Sequence, residues 1–150
     1  MTVIIKATDA DLDSIFEIEN SCFNVDGFNR RQLSYLINKA NGIFYAIKSD
    51  GQTVGYISLL AHSKRKCLRI YSLAVHPEHR GKHLAEYLIE KAIHFAVQNR
   101  FELISLEVNI SNYAAQKLYE KKKFSTVGVR KNYYSDGSDA YVMELKLPTC

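Results

Sequence analysis

The sequence has no apolar run that approaches the roughly 18 residues of a membrane-spanning helix. Its first residues, MTVIIKATDADLDSI, lack a basic region, a long apolar stretch and a small-residue cleavage site. We therefore expect no secretory signal. These absences predict a cytoplasmic protein that has no membrane partner.

Cysteine is scarce, and no CxxC pair occurs. The three cysteines, Cys22, Cys67 and Cys150, are far apart along the chain. This pattern argues against a disulfide framework and against a zinc knuckle, so we predict no metal site. We expect Cys22 and Cys67 to act as small apolar residues and Cys150 to be a free thiol at an exposed C-terminus.

The charge is only mildly basic, with a formal net charge of +4 and a pI near 8.9. This balance alone does not indicate binding to nucleic acid. The basic run HSKRK, residues 62–66, stands between two predicted strands. We interpret it as a solvated hairpin loop in preference to an RNA-binding patch, and we predict no nucleic-acid partner.

Repeats, low-complexity stretches and linkers rich in proline, glycine or serine are all missing. The 150 residues predict one domain that spans residues 1–150. Strand and helix patterns follow one another in the order β-α-α-β-β-β-α-β-α-β-β. This order predicts an α/β protein of the mixed α+β kind, with helices on both faces of a mixed sheet.

Local signals place several element boundaries. Asn29 is predicted to cap the helix RRQLSYLINKA, and Gly42 is predicted to end it. The residues DGQ, 50–52, indicate a hairpin turn. A long helix is predicted over residues 82–99, and Ser111 is predicted to cap the helix NYAAQKLYEKK.

The stretch HPEHRGKHLAEYL, residues 76–88, places cations where a helix begins. Arg80, Lys82 and His83 are unfavourable beside the positive end of a helix dipole unless an anion binds there, and phosphate is the obvious candidate. Gly81 allows the chain to approach such a ligand closely. The alternative is a solvated basic turn next to a glycine, and this turn alone leaves both interpretations open.

The residues RGKHLA, which follow IYSLAV and precede a long helix, resemble the acyl-CoA pyrophosphate loop of the GNAT superfamily of N-acyltransferases. The family pattern is Q/R-x-x-G-x-G/A. Arg80 fills its first position and Ala85 its last, whereas His83 stands where the family usually has glycine. The resemblance implies acetyl-CoA as co-substrate and a mostly antiparallel sheet of about seven strands with about four helices. The cofactor contacts that it implies are Leu73, Ala74, Val75, Arg80, Gly81, Lys82, His83, Leu84, Ala85, Glu86, Asn112 and Tyr119.

The stretch LEVNISNYAAQKLYEKKKFSTVGVRKNYYSDGSDAYVMEL, residues 106–145, is similar to the C-terminal half of the ribosomal-protein-alanine N-acetyltransferases, the RimI-like enzymes. Asn109 replaces their usual arginine. Lys123 replaces a glycine that ends a helix, which predicts a left-handed lysine at a cost of about 1 kcal/mol. The family's Pro-Trp-Ser/Thr, which helps to line the acceptor side, is missing, and Phe28 stands in for the tryptophan.

Acetyl transfer from a thioester to an amine needs a base, and Glu107 is the best candidate. It is the only charged residue late in the apolar strand LISLEV, where partial burial would suit it to accept a proton through a water. The alternative is a strand-end carboxylate in a salt bridge, but the family resemblance favours the base. An α-amine, with a pKa of about 8, needs less help than a lysine at about 10.4.

Tyr119 is the best candidate for the acid that protonates the leaving thiolate. The alternative is a tyrosine at the edge of the core, but the context SN…LYEK favours the functional role. Tyr133 and Tyr134 are predicted to form a binding lip for a peptide end, with strand-edge packing as an equal alternative. Asp136 and Asp139 would add attraction for an ammonium group.

Three functional hypotheses follow. The first is transfer of acetyl from acetyl-CoA to the N-terminal α-amino group of a protein, for instance a ribosomal protein. The second is the same chemistry on a lysine side chain or a small-molecule amine. The third is a CoA-binding or partner-binding module without catalysis, whose only support is His83 and Lys123. We expect a monomer or a weak homodimer.

Overall fold

The computed structural model describes residues 1–23, 26–62, 64 and 66–148. These residues form seven strands and four α-helices in the predicted order, with short 3-10 helices at Asp9–Asp11 and Pro77–His79. The bounds are β1 Thr2–Lys6, α1 Leu12–Cys22, α2 Arg30–Asn38, β2 Gly42–Ser49, β3 Gln52–His62, β4 Cys67–Val75, α3 Leu84–Gln98, β5 Leu103–Asn109, α4 Tyr113–Lys121, β6 Ser125–Arg130 and β7 Ala140–Lys146.

The strands form a sheet in the order β1-β2-β3-β4-β5-β7-β6. The pairs β1–β2, β2–β3, β5–β7 and β6–β7 are antiparallel, whereas β4 and β5 are parallel. The prediction of a mixed α/β protein with a mostly antiparallel sheet of seven strands and four helices is confirmed.

The chain divides into two compact units. The first consists of Met1–Leu60 and Tyr71–Ala92, and the second of Ala61–Ile70 and Ile93–Cys150. The assignment of residues 1–150 to a single domain stays a prediction.

The core of the first unit explains the helical pattern of its α1 helix. Ile15 and Ile18 are buried on one face of α1 and belong to the same cluster as Leu33, Phe44 and Tyr56. The rings of Phe44 and Tyr56 stack with centroids 5.0 Å apart. Burial of each such aliphatic side chain stabilises the fold by roughly 1.5–3 kcal/mol.

In the second unit, β5 has one fully buried face. Ile104, Leu106 and Val108 are at most 3% exposed, whereas the alternate residues, among them Glu107, are half-buried. The strand therefore presents Glu107 on the face opposite the apolar core residues.

Two predicted signals appear as expected. Asn29 caps α2, because its Oδ1 accepts from the Gln32 N–H at 2.8 Å while the Gln32 Oε1 accepts from the Asn29 N–H at 2.9 Å. This reciprocal pair is a capping box. The turn between β2 and β3 has positive φ angles at Asp50 (51°) and Gly51 (84°), the conformation of a two-residue hairpin turn.

Two boundary predictions are wrong. Gly42 does not end α2, which stops at Asn38, but begins β2. A Cβ at Gly42 would lie 1.8 Å from the Leu59 carbonyl oxygen, so close approach of two strands requires the glycine. Ser111 does not cap α4. The cap is Asn112, whose Oδ1 accepts from the Ala115 N–H at 3.2 Å.

Lys123, directly after α4, has a φ of 77°, so the predicted left-handed lysine is confirmed. Its backbone N–H donates to the Glu120 carbonyl oxygen at 2.9 Å, and the Phe124 N–H donates to the Tyr119 carbonyl oxygen at 3.0 Å. These bonds close the helix in the way that glycine usually does. Because lysine has a Cβ atom, the left-handed conformation is sterically unfavourable at this position.

We expect Lys123→Gly to stabilise the protein by about 0.5–1 kcal/mol, because relief of the left-handed strain exceeds the extra backbone entropy of glycine in the unfolded chain. Urea denaturation measures this change. The matched control is Lys122→Gly, since Lys122 has an ordinary φ of −89°. That variant should lose stability, and equal effects from the two substitutions would contradict the assignment of strain to Lys123.

Candidate active site

The loop before α3 contains two residues with a left-handed backbone. Gly81 has a φ of 82° and His83 a φ of 62°. The helix therefore begins at Leu84, and the predicted start at Lys82 is wrong because a left-handed residue cannot belong to a right-handed helix. His83 adopts the backbone conformation that glycine favours, and its side chain is 67% exposed with Nδ1 3.5 Å from the Glu86 Oε1.

The first turn of α3 has the properties of an anion site. The Tyr87 N–H donates to the His83 carbonyl oxygen, so the N–H groups of Leu84, Ala85 and Glu86 precede the first helical bond. They form the positive end of the helix dipole. Lys82 precedes the helix by two residues and is exposed, and its charge helps to lower the pKa of the Asp50 carboxyl. A Cβ at Gly81 would meet nothing within 4 Å, so the turn is open on that side. The residues present fit the pyrophosphate of acetyl-CoA.

Arg80 fills the first position of the loop pattern, and its guanidinium contacts other residues of the first unit. Its Nε donates to the Val75 carbonyl oxygen at 3.4 Å, and its Nη2 lies 3.3 Å from the Cys22 Sγ. The Cys22 thiol also donates to the Val75 carbonyl oxygen, at 3.4 Å. Burial raises the pKa of the Cys22 thiol, although Arg80 acts in the opposite direction. Arg80 thus ties the loop to the ends of β4 and α1.

The end of β4 carries the three residues predicted to contact the cofactor arm. The parallel ladder joins Cys67–Ile70 of β4 to Leu103–Leu106 of β5, so Leu73, Ala74 and Val75 lie beyond it. Ala74 and Val75 are buried. A contact between their backbone and the cofactor stays a prediction.

Glu107 lies at the centre of an ion-pair cluster in the second unit. Its side chain is 9% exposed, and its Oε1 accepts a hydrogen bond from the Arg69 Nε at 2.9 Å and forms an ion pair with the Arg69 Nη2 at 2.7 Å. Its Oε2 accepts from the Arg130 Nε at 3.2 Å. The salt bridge considered as the alternative for Glu107 is therefore present, and two guanidinium groups hold the carboxylate in one orientation.

The cluster extends to both predicted lip tyrosines. The Arg69 Nη2 donates to the Tyr133 hydroxyl at 2.8 Å, and the Tyr133 and Tyr134 rings meet edge to face at 5.0 Å. Tyr134 in turn interacts electrostatically with Tyr119. Contacts in the second unit thus connect three of the predicted residues, Glu107, Tyr133 and Tyr134, whereas Tyr119 is related to them only by the electrostatic effect of Tyr134 on its pKa.

Tyr119 on α4 is 6% exposed and meets the Phe124 ring edge to face at 5.5 Å. Burial raises the pKa of Tyr119 far above its usual value of 10, and Tyr134 adds to the rise. The phenol therefore keeps its proton throughout the physiological range. This position agrees with the alternative interpretation of Tyr119 as a structural tyrosine at the edge of the core. It also suits an acid, which has to keep its proton until the thiolate leaves.

Asn112 and Phe28 have roles within their own units. Asn112 is exposed and caps α4, which is the ordinary helix-start alternative, and its contact with the cofactor stays a prediction. Phe28, in the first unit, stacks on Tyr71 with centroids 5.4 Å apart and an interplanar angle of 24°. Its N–H donates to the Glu19 Oε2 at 2.7 Å.

The two aspartates of the tyrosine loop bond to that loop. The Asp139 Oδ1 accepts from the Asn132 N–H at 2.9 Å, and the Asp136 Oδ1 accepts from the Ser138 N–H, also at 2.9 Å. The hydrogen bond from Ser138 lowers the pKa of Asp136. Both carboxylates shape the loop, and their attraction for an ammonium group stays a prediction.

Sequence reasoning missed three charged residues. Arg69 and Arg130 hold Glu107, and Glu19 is 1% exposed on the apolar face of α1. Arg69 carried a signal, since it is the only charged residue in the strand CLRIYSLAV. Glu19 carried one too, because it shares a helical period with Ile15.

Other predictions concern metals, membranes and thiols. Within the described part of the chain, no cluster of three or more His, Cys, Asp or Glu side chains is arranged to bind a metal ion. No helix in that part is long and apolar enough to cross a membrane. Cys22 and Cys67 are free thiols. Cys150 and two residues of the basic run, Ser63 and Arg65, lie outside the described residues.

Comparison with known proteins gives a consistent picture. The sequence model of the acetyltransferase (GNAT) family matches residues 12–124. A Bacillus subtilis protein named as a [ribosomal protein bS18]-alanine N-acetyltransferase is 34% identical over 134 residues, which cover 89% of this chain and 87% of that protein. The N-alpha-acetyltransferase RimI of Mycobacterium tuberculosis is 31% identical over 145 residues, which cover 91% of this chain and 87% of that enzyme.

The fold agrees with these relatives. The crystal structure of the ribosomal-protein-S18-alanine N-acetyltransferase from Escherichia coli superposes with a TM-score of 0.89 at 23% identity, covering 100% of this chain and 96% of that one. The expected GNAT-like fold is therefore confirmed. The chain belongs to the GNAT family of acetyltransferases, it resembles the ribosomal-protein-alanine N-acetyltransferases within that family, and it is an N-acetyltransferase.

Proposed function

We propose that this enzyme transfers the acetyl group of acetyl-CoA to the N-terminal α-amino group of a protein, of the ribosomal-protein-alanine type, in the cytoplasm. Support comes from the two relatives named for transfer to α-amines or ribosomal-protein alanine, each matched over about nine tenths of this chain. Support for an acceptor site comes from the contacts of Arg69 with Glu107 and Tyr133 in the second unit.

The observation that carries the proposal is the connected cluster around Arg69. This guanidinium binds both Glu107, the candidate base, and Tyr133, a candidate acceptor contact. The Tyr133 ring meets the Tyr134 ring edge to face at 5.0 Å. The candidate base and the two aromatic side chains thus belong to one contact network, and Tyr119, the candidate acid, lies in the same unit, where Tyr134 helps to raise its pKa.

Acetyl-CoA supplies the acetyl group as a thioester, so the enzyme has to remove a proton from the amine and stabilise the leaving sulfur. Glu107 accepts the amine proton through a water. Arg69 and Arg130 hold both of its oxygens, which fixes the direction in which the carboxylate accepts. With a pKa of about 8, roughly a tenth of an α-amine is already neutral at pH 7, so a relay of this kind suffices.

Tyr119 acts on the leaving sulfur. As the new C–N bond forms and the C–S bond breaks, the sulfur leaves as a thiolate. The proton that Glu107 took from the amine returns through solvent and converts it into the thiol, whose pKa is about 8.5. Because burial raises the pKa of Tyr119, complete loss of the phenol proton is unfavourable. Tyr119 therefore stabilises the leaving sulfur first as a hydrogen-bond donor, and its proton is available throughout the reaction.

The remaining roles are contacts with the cofactor and with the acceptor. We assign pyrophosphate binding to the loop Arg80–Glu86, the backbone contact with the cofactor arm to Leu73–Val75, and a further cofactor contact to Asn112. We assign contacts with the acceptor peptide to Tyr133 and Tyr134 in the second unit and, separately, to Phe28 in the first unit. The acceptor is a protein N-terminus, and we propose neither a nucleic-acid nor a membrane partner.

A comparison of N-terminal acetylation across the proteome, with and without this protein, tests the proposal. We expect a small set of protein N-termini to lose acetylation when the protein is absent and to regain it when the wild-type chain is restored. A change confined to lysine side chains, with every N-terminus unaffected, would contradict it.

A further inference from the structure

A buried carboxylate in the first unit has no part in the mechanism described above. Glu19 on α1 is 1% exposed and accepts hydrogen bonds from the Tyr56 hydroxyl and from the Phe28 N–H, the latter at 2.7 Å. The Tyr56 hydroxyl also lies 2.8 Å from the Ser72 Oγ. Three elements, α1, β3 and β4, and the segment before α2 therefore meet at one buried polar group.

Packing alone does not require a carboxylate here. The neighbouring positions on this face of α1 are Ile15 and Ile18, both fully buried, and an apolar residue would continue that face. Desolvation of a carboxylate is unfavourable, and burial accordingly raises the pKa of Glu19 although Tyr56 and Phe28 act in the opposite direction. A buried carboxylate at such a position indicates a role beyond filling space.

The role visible in the contacts is to fix Phe28. The Glu19 carboxylate holds the backbone of Phe28, and the Phe28 ring stacks on Tyr71. Tyr71 precedes Ser72, which reaches the same carboxylate through Tyr56. Phe28 is therefore held at its backbone and at its ring by groups that are themselves connected.

We propose that Glu19 is a positioning residue for the acceptor: with Tyr56 and Ser72 it sets the place of Phe28 and so the fit of the acceptor N-terminus. This inference rests on the proposed function, in which Phe28 contacts the acceptor. Glu19 is not part of the pyrophosphate loop, and it is neither the candidate base nor the candidate acid, so the inference assigns a role to an additional residue.

Glu19→Met tests the inference because it keeps the side-chain volume and removes both acceptor oxygens. Removing the carboxylate leaves the Phe28 N–H and the Tyr56 hydroxyl without this acceptor, so we expect the melting temperature to fall. In the protein that remains folded, the KM for an acceptor peptide should rise at least tenfold while the KM for acetyl-CoA changes less than twofold. Glu19→Gln, which keeps one acceptor oxygen for the Phe28 N–H, should restore most of the peptide affinity.

Two further variants keep the test decisive if Glu19→Met does not fold. Tyr56→Phe removes only the hydroxyl and should raise the peptide KM in the same direction. Phe28→Ala should raise it too, and combining it with Glu19→Gln or Glu19→Met should add little, since both act through one residue.

The matched control is Asp11→Asn. Asp11 is a second buried carboxylate of the same unit, 3% exposed, and it binds the Thr8 N–H at 2.9 Å and the Lys48 ammonium at 3.0 Å. Its loss should lower stability and leave both KM values unchanged. Equal changes in both KM values for the Glu19 variants, or a fall in kcat alone, would overturn the inference. Absence of transfer to any α-amine by the wild-type enzyme would instead overturn the proposed function.

Discussion

We expect Tyr119→Phe to lower kcat by about 100-fold, the lower end of the usual contribution of a positioned proton donor. The phenol is buried and its pKa is raised, so the donor is present at every pH at which the enzyme works. Phenylalanine keeps the ring and its contact with Phe124, and the KM for acetyl-CoA should stay within about twofold. Steady-state kinetics with an acceptor peptide measure both quantities.

The control for this variant is Tyr35→Phe, since Tyr35 is 57% exposed and has no assigned role in catalysis or binding. It should match the wild-type enzyme. If Tyr119→Phe also retains wild-type kcat at saturating substrates, Tyr119 is a core-edge tyrosine and not a catalytic residue.

Glu107→Gln is the second substitution with a large expected effect. The amide cannot accept the amine proton, so we expect the rate to fall about 100-fold near pH 6.5. An α-amine has a pKa of about 8, so by pH 9 most of it is neutral and needs no base. The difference between the variant and the wild type should therefore narrow as the pH rises, which a pH profile of kcat/KM measures.

Two measurements separate catalysis from structure in this variant. Glutamine leaves Arg69 and Arg130 without their carboxylate partner, so the melting temperature should be recorded beside the rate. Glu102→Gln is the matched control, because Glu102 is an exposed carboxylate just before the same strand. A deficit for Glu107→Gln that is constant from pH 6.5 to 9 would contradict the role as base.

Local pattern was enough to predict the element order, because each signal acts over a few residues. The apolar period of α1 reflects the buried Ile15 and Ile18, and the Asp50–Gly51 turn reflects positive φ angles that few residues tolerate. Lys123 was predictable for the same reason, since one position after a helix needs a left-handed residue.

Predictions failed where contacts distant in sequence decide the structure. Gly42 was predicted to end a helix. Its lack of a side chain instead allows the backbone of Leu59, on another strand, to lie close to it. Arg130, which holds Glu107, follows it by a helix and a strand, and no local pattern relates the two. Glu19 was visible as an acid in an apolar period, but its partners Tyr56 and Phe28 come from other elements.

The cations before α3 now have a structural context. Gly81 and His83 have left-handed backbone angles, so the helix begins at Leu84 and its first N–H groups directly follow this basic loop. Positive charge there is unfavourable by a few tenths of a kcal/mol for each group at the positive end of a dipole, and a bound pyrophosphate reverses that sign. His83 supplies the left-handed turn that the family usually builds with glycine.

The proposed acceptor is an α-amine, and one peptide tests this directly. A synthetic peptide with a free N-terminal alanine and one internal lysine is incubated with the wild-type enzyme and acetyl-CoA, and tandem mass spectrometry locates the added acetyl group. We predict acetylation of the α-amine and none of the lysine. Acetylation of the lysine with a free α-amine left unmodified would contradict it.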